Sequence, residues 1–174
     1  MAVPLNATAG VSIRAATGDD VEAVLDVLEA VGSEGRWLGV EVPFDRVARG
    51  ERMRNELAQP AAHGAFVAED GERTVIGFIT VHLAPYGVAS IGMALLDGYR
   101  GQGVGTRLVE RAEAWAVQAG AHKLALEVWP HNERAIAMYT KLGFTEEGRL
   151  RRHYRRRNGE LWDALVMGRQ LGAP

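Results

Sequence analysis

Between an apolar run ending at Leu96 and a long amphipathic stretch stands Tyr99-Arg100-Gly101-Gln102-Gly103-Val104-Gly105-Thr106, the segment of this chain richest in chemical possibility. Glycines let a backbone approach a ligand closely, and the free N–H groups and dipole at the start of a following helix attract negative charge. Such a cradle suits a phosphate. Two familiar phosphate loops do not fit it. A Walker loop needs Gly-Lys-Ser/Thr after its glycines, and a dinucleotide fingerprint needs a third Gly or Ala where Thr106 stands, on the first strand of a parallel sheet. Taken without context, the same glycines also suit a plain tight turn.

Glu127 alternates with Leu126 and Val128, so it shares a strand face with Lys123 and Ala125. An amine near neutral pH is mostly protonated and must lose a proton before it attacks a carbonyl, which gives a carboxylate in that place a use as base. Alternation alone would also put Glu127 toward solvent. Asn132 stands where a helix cap is expected, and Tyr139 follows two helical turns later, so both project from nearly one side into one groove. Capping by itself accounts for Asn132, and packing of the ring against Ile136 accounts for Tyr139. Glu34, Trp37 and Glu41 lie in an aperiodic stretch; the two acids are rival bases or acceptor anchors, or ordinary surface charges. His63, His82, His122, His131 and His153 lack paired metal-ligand spacing, so no metal is expected.

Positioning these residues requires a definite order of elements. Val11 to Ala16 reads as a strand. Thr17 with Asp20 is a capping-box start, and Val21, Val24, Leu25, Leu28 and Val31 continue at helical spacing, predicting a helix over 19–31. Gly32 to Val42 has no period, and Pro43 marks the start of a second helix that ends before Pro60. Strands follow at 65–69, 75–83 and 89–96, joined as an antiparallel meander. A helix over 105–119 stops at Gly120, a strand covers 123–128, and a helix over 133–142 closes at Gly143. From Phe144 the chain is extended again, with Asn158-Gly159 as a hairpin turn. The first ten residues read as a loose leader, and 11–174 as one domain without repeats or linkers.

Composition supports that organisation. The chain has 174 residues, 47% of them hydrophobic, and 22 acids against 20 bases, which fits one globular domain and excludes disorder of the whole. Without cysteine there is no disulfide, thiolate metal site or cysteine nucleophile. No run reaches the roughly 18 apolar residues of a membrane span, and the start lacks a signal-peptide pattern, so a soluble cytoplasmic protein with no membrane partner is expected. The near-neutral balance argues against nucleic acid as partner. Arginines at 149, 151, 152, 155, 156 and 157, interleaved with His153 and Tyr154, read either as a solvated strand arm or as a contact for an acidic partner or RNA.

Arg100-x-x-Gly103-x-Gly105 after a strand and before an amphipathic helix resembles the acetyl-CoA signature of the GNAT superfamily of N-acetyltransferases. Leu126-Glu127-Val128, Asn132, Ala135 and Met138 to Phe144 resemble its second motif, in the right order. The resemblance is close from Val75 onward and thin before it. The arm from Glu147 through Asn158-Gly159-Glu160 to Trp162-Asp163 is similar to the branch of ribosomal-protein alanine and amino-acid N-acetyltransferases. Asp97-Gly98 departs from the proline that many relatives carry there.

The resemblance implies an α+β fold, a mostly antiparallel twisted sheet of about seven strands flanked by about four helices. It implies acetyl-CoA as cofactor, with its pyrophosphate on the backbone of Gln102 to Thr106 beside Arg100 and Gly101, and its pantetheine near Asn132 and the strand edge at Leu95. The Leu95 N–H would also meet the developing oxyanion. Tyr139 would then protonate the departing sulfur and Glu127 act as base. The acceptor would be an amine, either a protein N-terminus or a small molecule, and dimerisation is common among relatives. A non-catalytic acyl-CoA sensor, or an arginine-arm binding module, is the alternative.

Overall fold

The computed structural model describes residues 10–172, so the expected leader lies, but for Gly10, outside the described residues. Strands β1 (Ser12–Ala15), β2 (His63–Glu69), β3 (Val75–Leu83), β4 (Val88–Leu95), β5 (Lys123–Val128), β6 (Thr145–Arg155) and β7 (Leu161–Gln170) form one sheet in the order β1-β2-β3-β4-β5-β7-β6. Every neighbouring pair is antiparallel except β4 and β5. Helices α1 (Val21–Ser33) and α2 (Arg46–Leu57) lie on one face, where Val21, Val24, Leu25 and Met53 cover Val67, Phe78 and Ala94. On the other face α3 (Val104–Gln118) and α4 (Glu133–Lys141) set Leu108, Val109, Ala112 and Tyr139 against Ile79, Ile91, Leu124 and Met167. The expected fold class and element order are therefore observed. Among the described residues no helix is long and apolar enough to cross a membrane.

Two helix starts differ from expectation by two residues or more. The Thr17–Asp20 capping box forms but caps a single 3-10 turn at Gly18–Asp20, so α1 begins only at Val21. The second helix starts at Arg46 rather than Pro43, because the Asp45 carboxylate accepts the Ala48 N–H at 2.9 Å and so caps there. Helix α4 ends in a Schellman turn in which the Phe144 and Gly143 N–H groups reach the Tyr139 and Thr140 carbonyls, with Gly143 at φ 86°. That closure and the edge contact between the Tyr139 and Phe144 rings, 5.5 Å apart, hold Tyr139 in a fixed position.

A charged knot ties β1 to the start of α1 and to β2. The Arg14 guanidinium donates to Asp20 at 2.7 and 2.8 Å and to Glu69 at 2.5 Å, and Asp20 also accepts the Thr17 N–H at 2.7 Å. Beside Arg14 the Asp20 carboxyl is held down to about 2. A carboxyl whose folded value is depressed stabilises the fold above the ordinary carboxylate range and loses that contribution as pH falls toward the folded value. Arg14 is 37% exposed, so solvent weakens the effect. Asp20→Asn is expected to cost about 1 kcal/mol at neutral pH, lowering the melting temperature by about 2–4 °C. In thermal melts across pH, the gap from the parent closes between about pH 4 and pH 2.

Candidate active site

β4 and β5 pair only from Val88/Lys123 to Ser90/Ala125. Beyond that rung the sheet splits, and a cavity of about 1150 Å³ opens between Ile91–Leu95 of β4 and Glu127–Trp129 at the end of β5. The Leu96 N–H goes to Ile76 on β3 at 2.9 Å. Alternation along the strand then turns the N–H and C=O of Leu95 the other way, into the split.

The glycine segment runs along one end of this cavity. Gly103, the N-cap of α3, has φ 82° and Gly101 has φ 75°, a backbone region that favours glycine. Among the described residues the N–H groups from Gly101 to Thr106 have no protein acceptor. A Cβ on Gly105 would stand 3.1 Å from the Met138 sulfur, so the glycine lets α3 and α4 approach beside the cavity. Unpaired amides at a helix N-terminus, on a loop that small residues keep open, fit a pyrophosphate.

The cation beside that loop is not the expected one. The Arg100 guanidinium donates to Glu34 at 2.5 and 2.8 Å and to the Leu95 carbonyl at 2.8 Å. It therefore clamps the loop after α1 to the end of β4, because a bidentate carboxylate within reach outcompetes solvent. Arg134, in the first turn of α4, takes the position near the loop: a Cβ on Gly101 would be 3.7 Å from its guanidinium carbon. Sequence reasoning missed Arg134, since only the packing of α4 beside α3 brings the two together.

At the other end Glu127 stands exposed on the α1/α2 face, and the Tyr154 hydroxyl donates to it in a very short hydrogen bond. Burial and Glu127 push the Tyr154 hydroxyl up to about 12, so it keeps its proton and remains a donor. Tyr154 was also missed. An irregularity in β6 between Leu150 and Tyr154 sets its register opposite Trp162, and no local signal announces that bulge.

Tyr139 lines the split from the opposite face. Burial pushes its hydroxyl up to about 12. Among the described residues the hydroxyl has no hydrogen-bond partner, while every fully buried side-chain polar atom has one, so the hydroxyl reaches the cavity. Asn132 caps α4 through the Ala135 N–H at 3.3 Å and also lines the cavity, so capping and a place at the site coexist in one residue.

The two loop acids are already engaged. Glu34 accepts from Arg100 and, at 2.6 Å, from the Trp37 ring N–H, and Arg100 holds its carboxyl below the usual range, so it is a poor base. Glu41 accepts the Arg157 N–H at 3.1 Å and lies 3.5 Å from Arg156. Arg156 is only 5% exposed; it donates to the Leu38 and Gly39 carbonyls and stacks on Trp162 at 4.4 Å. This part of the arginine arm is a staple between the β6–β7 hairpin and the loop after α1, not a solvated strand. Trp37 lines the cavity beside Trp129. Among the described residues no three His, Asp or Glu side chains group as metal ligands.

The profile of the acetyltransferase (GNAT) family matches residues 36–144, from the loop through α4. The chain belongs to the acetyltransferase (GNAT) family. A curated GNAT relative is aminoglycoside N(6')-acetyltransferase type 1 of Klebsiella aerogenes, 34% identical over 109 residues that cover 58% of this chain and 70% of the relative. A ribosomal-protein-alanine N-acetyltransferase from Brucella melitensis has a similar structure, with TM-score 0.82, 24% identity and coverage of 92% of this chain and 99% of that one. So has a GNAT superfamily phosphinothricin acetyltransferase from Sinorhizobium meliloti solved in complex with AcCoA, with TM-score 0.82, 19% identity and coverage of 94% and 89%. These GNAT neighbours differ in named acceptor.

Proposed function

We propose that this GNAT protein transfers an acetyl group from acetyl-CoA directly to a primary amine, with residues 11–174 acting as a single transferase domain. The observation that supports the reading is the split between β4 and β5: among the described residues, loop amides without acceptors, a strand-edge N–H, a tyrosine hydroxyl without a partner and an exposed carboxylate surround one cavity. Acetyl-CoA, when bound, supplies an acetyl group activated as a thioester and a pyrophosphate by which it is held. The amides from Gln102 to Thr106 and the Arg134 guanidinium would hold its phosphates. The Leu95 N–H, turned into the split, would be the donor available to the acyl oxygen.

Glu127 takes a proton from the acceptor ammonium, directly or through water, and Tyr154 orients it by its hydrogen bond. Burial keeps the Tyr139 hydroxyl protonated, so it would serve as a hydrogen-bond donor to the thioester sulfur. A thiol has an ordinary pKa of about 8.5, so a thiolate needs only a hydrogen-bonded partner to leave well.

The test is a calorimetric titration with acetyl-CoA, followed by release of free CoA on an amine panel read with a thiol reagent. Binding together with release is the expected outcome. No binding at millimolar cofactor, or binding without release from any amine, overturns the proposal.

A further inference from the structure

Whether the acceptor is an amino acid or a simpler amine is decided by which charges at the mouth are free. The mouth lies on the α1/α2 face, at the end of the cavity away from the glycine loop. Its walls are Trp37, Trp129 and Tyr154, and the loop after α1 closes on them: a Cβ on Gly39 would stand 3.8 Å from the Trp129 ring. Trp129 meets Tyr154 and Trp162 edge-on at 5.1 and 5.4 Å, so the aromatic wall is braced from behind.

Among the described residues the acid at the mouth has no cationic partner: Glu127 is met by the neutral Tyr154 hydroxyl. Two arginines reach the mouth and both are engaged: Arg100, whose guanidinium extends from the glycine loop to 5.8 Å from the Trp37 ring, by Glu34, Asp97 and the Leu95 carbonyl, and Arg156 by Glu41 and two loop carbonyls. Arg36 stacks on Trp37 at 4.7 Å and is not among the residues lining the cavity. The remaining cavity cations, Arg134 and Lys141, share one stripe of α4 with Met138, the stripe turned to Gly105 and the phosphate loop. A carboxylate on the acceptor would therefore meet Glu127 and, among the described residues, no free arginine or lysine at the mouth, whereas an ammonium meets Glu127 and aromatic faces that favour it.

Resting on the transferase reading above, we infer that the acceptor is a primary amine with an apolar or aromatic arm and no carboxylate on the neighbouring carbon, so that free α-amino acids are rejected.

Three acceptors sharing one side chain test this: phenethylamine, phenylalaninamide and phenylalanine, with CoA release as readout. Two carboxylates about 6 Å apart at an effective dielectric of about 20 repel enough to cost on the order of 100-fold in affinity. The first two acceptors are therefore expected to exceed phenylalanine in kcat/KM by about 100-fold. Glu34→Gln removes the closer of the two carboxylates on Arg100, leaving Asp97 at 3.3 Å, so the guanidinium gains room for an acceptor carboxylate and the gap is expected to narrow by about tenfold, with melting confirming that the variant folds. Equal kcat/KM values, a preference for phenylalanine, or a gap that Glu34→Gln leaves unchanged overturns the inference. Release from spermidine but from none of the three also overturns it and leaves the transferase reading standing. No release from any amine removes both.

Discussion

Tyr139→Phe is expected to lower kcat about 100-fold while the dissociation constant for acetyl-CoA stays nearly the same. The ring is buried and fixed by the turn at Gly143 and by Phe144, and Phe keeps that packing, so the fold and the cavity wall survive the change. Only the hydroxyl is lost. Among the described residues it bonds nothing in the protein, so no partner is orphaned by its removal. A hydrogen bond to a charged group is worth roughly 1.5–3 kcal/mol, and charge gathers on sulfur only as the bond to carbon breaks. An interaction made only at that point appears in kcat and not in binding. Burial holds the hydroxyl up to about 12, so its protonation adds no basic limb to the pH–rate profile in the neutral range. Steady-state kinetics with calorimetric binding checks both halves. An unchanged kcat removes the acid role, and a large loss of binding reassigns Tyr139 to holding the cofactor.

Gly103→Pro should act on the opposite parameter. Proline fixes φ near −65° and has no N–H, while the loop needs φ 82° at this position. The substitution removes one amide from the cradle and turns its neighbours. Each charge-assisted hydrogen bond lost costs roughly 1.5–3 kcal/mol, so the dissociation constant for acetyl-CoA is expected to rise by at least about 100-fold. A Cβ at Gly103 meets nothing within 4 Å, but a φ of 82° is closed to proline, so the turn rearranges and the melting temperature is expected to fall as well. Calorimetry beside a thermal melt separates the two effects. Retained affinity in the proline variant would mean that the amides of this turn do not hold the pyrophosphate.

The sequence by itself determined most of the elements that depend on neighbours a few residues apart. Helical spacing from Val21 to Val31, the alternation around Glu127 and the stop signals at Gly120 and Gly143 correspond to α1, β5, α3 and α4 to within two residues. Such patterns are legible because capping and face periodicity are local hydrogen-bond and burial effects. The glycine loop and Asn132 were legible for the same reason, since backbone φ and helix capping are properties of a few consecutive residues.

Only the tertiary structure decided what each charge faces. Arg100 and Glu34 are 66 residues apart, and Tyr154 and Glu127 are 27 apart, and neither pairing leaves a periodic trace. The break in β4–β5 pairing after Ser90 is likewise invisible along the chain, because it arises from how two distant strands diverge across the sheet. A long flexible side chain takes the best partner that folding brings within a few ångströms, and that choice is set by the packing of whole elements. The chemical types came from the order of residues; which of them work together came from where the sheet opens.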